Sequence, residues 1–268
     1  MARHFTQLDD LTTPYGHIVL APHLDDAALA CGGMLAGFAA TSEPVLVVNI
    51  CSGSPASDTA FSPFAASLHA VWGLPPDAVV QRRLAEDELA LETLGADAYQ
   101  LDLLDAIYRM PTAYGSEAGL FGALAPDDSL VQAMQPRLTA LAARFPEAIF
   151  YAPLGIGHHV DHQATHTAAA TLARAGVSVA YYEDFPYVLQ TNALMVRLAE
   201  LGGATRFLPV VTAIDAVLTR KIGAIEAYQS QIGPLFGDAA TLARLVTAYA
   251  ESLRPESGTY GERLWVPR

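Results

Sequence analysis

Histidine and aspartate side chains concentrate in two short stretches of the chain, and together they form a set of potential metal ligands. The first stretch reads PHLDD and contains His23, Asp25 and Asp26, and the second reads GIGHHVDHQATH. Four of the eight histidines lie within nine residues of the second stretch. Imidazole nitrogens and carboxylate oxygens are the ligands of zinc and related divalent ions. The residue types therefore predict a metal centre built from both stretches.

The spacing favours three of these residues as ligands. His23 and Asp26 are three residues apart at a predicted strand-to-helix turn, so both can reach one point, and His162 can join them from the second stretch. Three protein ligands that leave one position for water are typical of a catalytic zinc site. Asp25 is then left beside that water, where a carboxylate can act as general base.

Two further residues of the second stretch are candidates for a role in acid–base catalysis. His159 lies three residues before His162 on one face of a predicted helix, and it can donate to an oxyanion or to a leaving nitrogen. Asp161 is expected to orient its imidazole. The sequence leaves open what His158 and His166 do, because a histidine next to a site is more often a packing or hydrogen-bonding group. A metalloprotease helix is not expected, since the glutamate of HExxH is absent.

Short apolar runs alternate with longer amphipathic segments, which is typical of an α/β protein. Strands are predicted at residues 17–21, 44–51, 98–103, 148–152, 177–182 and 207–212, and helices at 27–40, 81–94, 129–145, from about 160, and at 215–231. We interpret residues 1–268 as one domain with a Rossmann-like, mostly parallel sheet and helices on both faces. Ligands of such sheets bind at the carboxyl ends of the strands, where both His–Asp stretches lie. Segment 52–80 is expected to overhang the same edge as a lid, and its role stays open.

Composition and charge exclude several classes of function. The chain has 15 Lys and Arg against 28 Asp and Glu, and the net charge of -13 repels phosphate backbones, so no nucleic-acid partner is expected. No run of about 18 apolar residues occurs, so no transmembrane segment is expected, and the first residues lack the pattern of a secretory signal. Cys31 and Cys51 form no CxxC pair, which favours buried free thiols in a cytoplasmic protein. The sequence leaves homo-oligomerisation open.

The two stretches resemble the motifs of the PIG-L/LmbE family of zinc-dependent de-N-acetylases. PHLDDAALACGG is similar to the family's PHPDDE-type motif, and HVDH is similar to its HPDH motif. The chain departs from the family at Leu24 and Val160, where proline is frequent, and at Ala27, where glutamate is frequent. Because no departure falls on a ligand position, the metal site is expected to persist, with a different substrate. Less specific similarities occur in segments 81–95, 104–109, 221–231 and 261–263.

The resemblance implies a function and a role for each matching residue. The family removes an acetyl group from N-acetylglucosamine units of larger molecules and has a Rossmann-like fold. The implied zinc ligands are His23, Asp26 and His162, the implied general base is Asp25, and the implied acid or oxyanion-stabilising residue is His159 with Asp161 as its partner. Arg83 and Asp105 match residues that contact sugar hydroxyls. The implied cofactor is Zn²⁺, with other divalent ions compatible, and the implied partner is a small N-acetylated sugar.

Three hypotheses of function follow. The first is hydrolysis of the acetyl group of an N-acetylglucosamine-type conjugate, which releases acetate and a free amine. The second is an amidase that cleaves a larger amide, such as that of a sugar–thiol conjugate. The third is a non-catalytic sugar- or nucleoside-binding module, which would need neither Asp25 nor His159. Dinucleotide binding is not expected, because the glycines after the first strand lack the GxGxxG spacing.

Two segments allow both a structural and a functional interpretation. Arg83 contacts substrate, or the Arg82–Arg83 pair forms an ion pair with Glu86, which would contribute little. Glu183 or Asp184 follows the fifth predicted strand at the same edge of the sheet, where either carboxylate could contact substrate.

Overall fold

The computed structural model describes residues 2–74 and 78–268, and the described residues build one eight-stranded sheet. The strands are β1 (His4–Phe5), β2 (His17–Ala21), β3 (Val45–Asn49), β4 (Asp97–Gln100), β5 (Ile149–Pro153), β6 (Val179–Tyr182), β7 (Phe207–Ala213) and β8 (Gly261–Pro267). Their order is β1-β4-β3-β2-β5-β6-β8-β7. The first six strands pair in parallel, and β8 is antiparallel to both of its neighbours. The predicted mostly parallel, Rossmann-like α/β fold is confirmed.

Helices cover both faces of this sheet. They are α1 (Asp26–Ala40), α2 (Pro63–Trp72), α3 (Val79–Leu94), α4 (Ala106–Arg109), α5 (Glu117–Leu120), α6 (Leu130–Arg144), α7 (Val160–Arg174), α8 (Ala193–Glu200), α9 (Leu218–Glu226), α10 (Gln229–Phe236) and α11 (Ala239–Leu253). On β2, Val19 and Ala21 join the core under α1, α3, α9 and α11, whereas Ile18 and Leu20 join the core under α6 and α7. Because successive strand side chains point to opposite faces, a continuous apolar run is buried on both sides.

Several elements differ from the sequence prediction. Segment 215–231 forms two helices, since α9 ends at Glu226 and α10 begins at Gln229. The helix α2 and the strands β1 and β8 were not predicted, and neither were α4, α5, α8 and α11. No helix among the described residues is long and apolar enough to cross a membrane.

The strand order places a crevice between β2 and β5. The chain moves outward from β2 to β3 and β4 on one side, and from β5 to β6 on the other. The carboxyl ends of β2 and β5 therefore lie side by side at the switch point, where open α/β sheets bind their ligands. Both His–Asp stretches follow these two strands directly.

The buried carboxyl group of Asp87, a residue of α3, links this helix to the segment before α10. Tyr228 donates from its hydroxyl to Asp87 Oδ1 at 2.7 Å, and Asn49 Nδ2 donates to Oδ2 at 2.7 Å. Burial raises the pKa of Asp87 to about 6, although both hydrogen bonds oppose the rise. The folded state therefore binds this proton more tightly than the unfolded chain, in which an aspartate has a pKa of about 3.9.

The stability contributed by Asp87 is expected to decrease as the pH rises from about 4 through about 6, because the folded-state pKa is the higher one. A difference of about two pKa units corresponds to about 3 kcal/mol. Urea unfolding of the wild type and of Asp87→Asn across this pH range measures the effect. The free energy of unfolding of the wild type relative to the variant should fall with rising pH, and a constant difference would contradict the assignment.

Candidate active site

The loop after β2 folds back on itself through a side-chain hydrogen bond. Asp26 Oδ2 accepts from the backbone N–H of His23 at 2.8 Å, which closes the turn at the start of α1. The same oxygen lies 3.3 Å from His23 Nδ1. Asp25 stands at the N-cap position of α1 between these two residues. All three side chains are buried.

The loop after β5 brings two more imidazoles to this point. His159 occupies the N-cap position of α7, where its Nδ1 accepts from the backbone N–H of Asp161 at 3.2 Å. His162 lies in the first turn of α7, and its Nε2 is 3.4 Å from Asp26 Oδ2. The tertiary structure thus joins the two stretches that the sequence analysis selected.

Each of the two imidazoles that face Asp26 is held from behind by another carboxylate. His162 Nδ1 donates to Asp184 Oδ1 at 2.7 Å, and His23 Nε2 donates to Asp161 Oδ2 at 3.1 Å. In the neutral form of each ring, these bonds leave the lone pair on His162 Nε2 and on His23 Nδ1, the nitrogens that face Asp26. Such carboxylate–histidine pairs are the usual support of metal-ligating histidines, because they fix the tautomer and the ring orientation.

The donor set of His23, Asp26 and His162 fits a divalent ion. Lone pairs that face a carboxylate oxygen at 3.3 and 3.4 Å repel it unless positive charge lies between them. Two ligands of a tetrahedral ion with bonds of about 2.0–2.1 Å stand about 3.3 Å apart, which matches these distances. Burial lowers the pKa of both imidazoles, but the neighbouring carboxylates outweigh it and raise each pKa above its usual value. The space between His23, Asp26 and His162 therefore favours a cation.

Two other groupings of potential ligands also lie close enough to share an ion: His23 with His159 and His162, and His23 with Cys51 and Asp161. The second of these is less suited to a metal. Burial raises the pKa of the Cys51 thiol, whereas a metal needs the thiolate. Asp161 already pairs with Arg109 at 2.7 Å. The His23–Asp26–His162 set is therefore a better candidate than the Cys51 grouping.

Asp161 does not orient His159, in contrast to the expectation from the sequence. Its Oδ2 accepts from His23 and from the backbone N–H of Ala106 at 3.1 Å, and its Oδ1 pairs with Arg109. Residues two apart on a helix point in different directions, so the neighbouring position in the sequence is not a neighbour in space. The Asp161 side chain supports His23, and only its backbone contacts His159.

The expected general base and the two expected sugar contacts line the same cavity, which has a volume of about 330 Å³. Asp25 Oδ1 lies 3.4 Å from the guanidinium of Arg83. Burial raises the pKa of Asp25, and the charge of Arg83 opposes this rise. Asp105 Oδ2 is 3.6 Å from His23 Nε2. The structure therefore brings every residue predicted from the two motifs, and both of the less specific ones, to one site.

Four residues with open roles make their contacts outside the cavity. They are His158, which lies 3.3 Å from Glu200; His166, whose Nδ1 donates to the Pro153 carbonyl at 3.0 Å; Arg82, which pairs with Glu86 at 2.9 Å; and Glu183, which pairs with Arg263 at 2.6 Å. None of the four lines the cavity. The expectation that Glu183 or Asp184 contacts substrate also differs from the structure, since Asp184 is fully buried behind His162.

Tyr187 is a cavity residue that the sequence analysis missed. It lies in a short 3-10 turn after β6, and its ring packs on Gly157, where a Cβ atom would come within 2.6 Å of the ring. Tyr187 lines the cavity, and its hydroxyl forms no hydrogen bond to a described residue. Burial and the charges of Asp26 and Asp25 raise the pKa of Tyr187, so the phenol remains a hydrogen-bond donor. The aromatic YYEDFPY segment at a strand end was the available signal.

Fold and site together define a Rossmann-like α/β protein with a buried histidine–carboxylate centre that is compatible with a divalent ion. Residues 18–173 match the PIG-L family, described as GlcNAc-PI de-N-acetylase. The chain belongs to this family.

Curated and solved relatives extend the similarity over most of the chain. The 2′-N-acetylparomamine deacetylase of Streptomyces fradiae is 30% identical over 225 residues, which cover 80% of this chain and 72% of the relative. A crystal structure of a deacetylase–bog complex in the teicoplanin biosynthesis pathway is 29% identical, with a TM-score of 0.78, and covers 92% of this chain and 96% of that one. The zinc-inhibited form of teicoplanin deacetylase Orf2 is 28% identical, with a TM-score of 0.75 and the same coverage.

Proposed function

We propose that this protein is a zinc-dependent hydrolase that removes the acetyl group from an N-acetylated amino sugar of the N-acetylglucosamine type. The observation that carries the proposal is the meeting of His23 and His162 at Asp26, beside the separate carboxylate of Asp25. The names of the relatives, which are deacetylases of 2′-N-acetylparomamine and in teicoplanin biosynthesis, support an amino-sugar substrate. Products are acetate and the free amine.

His23, Asp26 and His162 would hold the metal. Two nitrogens and one oxygen suit zinc, and iron or another divalent ion is compatible with the same ligands. When bound, the ion supplies Lewis-acid polarisation of the acetyl carbonyl and lowers the pKa of water. Asp161 and Asp184 keep the two imidazoles in the ligating tautomer through hydrogen bonds of 3.1 and 2.7 Å.

Asp25 acts as the general base in this proposal. It takes a proton from the attacking water, whose oxygen bonds to the acetyl carbon, and it returns that proton to the amine nitrogen as the C–N bond breaks. Its raised pKa favours the first step, because the carboxylate is then a stronger base for the water proton. The positive charge of Arg83 favours the ionised form of Asp25, and the contact between the two side chains orients the carboxylate.

His159 stabilises the developing oxyanion. Burial and the nearby charge of His23 hold the pKa of His159 well below its usual value, so the ring is neutral. Its Nδ1 accepts from a backbone N–H, and its proton therefore resides on Nε2. A neutral N–H donor on the cavity wall is the group that an oxyanion requires. Arg83 and Asp105, which line the same cavity, are proposed to contact sugar hydroxyls.

Simultaneous measurement of acetate and primary amine tests this function. Purified protein loaded with zinc is incubated with a panel of N-acetylglucosamine conjugates, and equal amounts of both products are expected. Conjugates with a larger acyl group test the amidase alternative, which requires that they react faster than the acetyl compounds. A non-catalytic module would release neither product and would bind sugar equally well after metal chelation.

Removal of the Tyr187 hydroxyl is expected to lower kcat/KM by up to about tenfold. One neutral hydrogen bond is worth about 0.5–1.5 kcal/mol, and Tyr187→Phe removes only this donor from the cavity. Steady-state kinetics measure the loss. Tyr151→Phe is the matched control, because the Tyr151 hydroxyl bonds to His17 Nδ1 away from the cavity. Equal kinetics for Tyr187→Phe and the wild type would show that the phenol contacts neither substrate nor transition state.

A further inference from the structure

The carboxylate of Asp161, which supports His23, is held by a single short helix, α4. Its Oδ2 accepts from the backbone N–H of Ala106, the first residue of α4, at 3.1 Å, and its Oδ1 accepts from Nη2 of Arg109, the last residue of α4, at 2.7 Å. The third donor is His23 Nε2 at 3.1 Å. Because each oxygen has a donor besides the imidazole, the carboxylate presents one oxygen to His23 in one orientation.

Arg109 is itself fixed by several contacts. Its Nε and Nη2 donate to the two oxygens of Asp128 at 2.9 and 2.8 Å, and its Nη1 donates to the Leu104 carbonyl at 2.6 Å. The hydroxyl of Tyr114 donates to the same Asp128 at 2.8 Å. A planar guanidinium that makes a two-point contact with one carboxylate has a fixed orientation. The second N–H of Nη2 is therefore directed at Asp161.

The contact with Arg109 also compensates a buried charge. The Asp161 side chain is fully buried, and an ionised carboxylate in such a place needs a partner of opposite charge. His23 cannot supply that charge, because a histidine ligates a metal only as the neutral ring. In the part of the chain that the structure describes, no other lysine or arginine pairs with Asp161. Arg109 is therefore the counter-charge of the carboxylate that bonds to His23.

The carboxylate behind the other imidazole is fixed by backbone donors instead. Asp184, which supports His162, accepts from the backbone N–H groups of Gly155 and Ile156 at 2.8 Å each. These donors belong to the main chain of the loop after β5, whereas the orientation of Asp161 depends on a side chain. A substitution can therefore remove the support of Asp161 without changing the backbone that carries either imidazole.

We propose that Arg109 is a positioning residue of the metal centre, which acts through Asp161 to hold the His23 imidazole in its ligating orientation. This inference rests on the proposed function, because it requires a metal at His23. Arg109 does not line the cavity, and it bonds to the Asp161 oxygen that does not bond to His23. Its substitution should therefore change the affinity for the metal, and it should do so only through Asp161.

A double-mutant cycle on zinc affinity tests this proposal. The metal-free wild type, Arg109→Gln, Asp161→Asn and the double variant are titrated with Zn²⁺ in competition with a chromophoric chelator. Asp161→Asn is expected to weaken binding about 10–100-fold, the usual cost of losing an outer hydrogen-bond partner. Arg109→Gln should weaken binding about tenfold in the wild type but at most about twofold in Asp161→Asn, because Arg109 then has no carboxylate to hold.

A matched control separates this role from a purely structural one. Lys221→Gln breaks another buried ion pair, with Glu262 at 2.7 Å, and Lys221 contacts none of the proposed ligands or their carboxylate partners. Loss of either cation should lower the free energy of unfolding in urea, but only Arg109→Gln should weaken zinc binding. An equal loss of zinc affinity in Lys221→Gln would show that the affinity follows stability, and it would overturn the inference.

The cycle also distinguishes failure of the inference from failure of the proposed function. Equal losses from Arg109→Gln in the wild type and in Asp161→Asn would overturn the inference and leave the deacetylase function intact. A wild type that binds no zinc would refute both. Arg109→Lys keeps the charge without the planar fork, and it replaces Arg109→Gln in the cycle if that variant does not fold. Its loss of zinc affinity should be smaller and should again disappear in Asp161→Asn.

Discussion

Replacement of Asp25 by asparagine is expected to lower kcat at least about a hundredfold while the metal stays bound. General-base catalysis typically contributes about 10²–10⁴-fold, and asparagine cannot accept the proton. The exchange is compatible with folding, because burial already disfavours the charged form of Asp25. Steady-state release of acetate measures kcat, and elemental analysis of the purified variant measures the metal.

A comparison with Asp105→Asn separates the base from a sugar contact. Both carboxylates line the cavity, but only Asp25 is proposed to move a proton. We expect Asp105→Asn to act mainly on KM and Asp25→Asn mainly on kcat. Wild-type kcat in Asp25→Asn, with metal present, would remove Asp25 as the base. Loss of metal from that variant would instead place Asp25 among the ligands.

Loss of the imidazole of His162 is expected to abolish stoichiometric metal binding and with it the activity. His162 contributes one of three ligands in the proposed set, so His162→Asn should reduce metal affinity by more than the roughly 10–100-fold that loss of an outer hydrogen-bond partner costs. Titration of the metal-free variant with Zn²⁺ measures the affinity. Supplementing the assay with excess metal should restore little activity, because the remaining two ligands do not fix the ion.

Two further variants serve as comparisons for His162→Asn. His166 lies one turn further along α7, and its imidazole bonds to the Pro153 carbonyl outside the cavity. The variant His166→Asn should therefore keep the metal. Asp184→Asn removes the carboxylate behind His162 and should give the intermediate loss of about 10–100-fold. The expected order of affinity is His166→Asn, then Asp184→Asn, then His162→Asn. Unchanged affinity in His162→Asn would refute the ligand set.

Much of the parallel sheet could be predicted because its strands carry a local signal. The run HIVLA forms β2 over the predicted residues, and the predicted helix before Gly95 ends as α3 at Leu94. Both signals depend on short-range physics, namely complete burial of a strand and the left-handed glycine that ends a helix.

The helix α2 was missed although its ends carried recognisable signals. Ser62 caps it through a side-chain bond to the Ala65 N–H, Pro63 occupies its first position, and Gly73 ends it at φ 65°. The surrounding segment is rich in Ser, Pro and Ala, which favoured a loop over a helix. The strand β8 was missed for another reason, because a seven-residue strand near the end of the chain is defined by its pairing with β6 and β7.

The sequence by itself determined which residue types could hold a metal, since the two His–Asp stretches follow buried strands whose carboxyl ends must share one edge of a parallel sheet. Only the tertiary structure decided which carboxylate supports which imidazole. Asp161 supports His23 and Asp184 supports His162, across separations along the chain that no local pattern encodes. Spacing along a chain fixes the direction of a side chain on its own element, whereas its partner depends on how the elements pack.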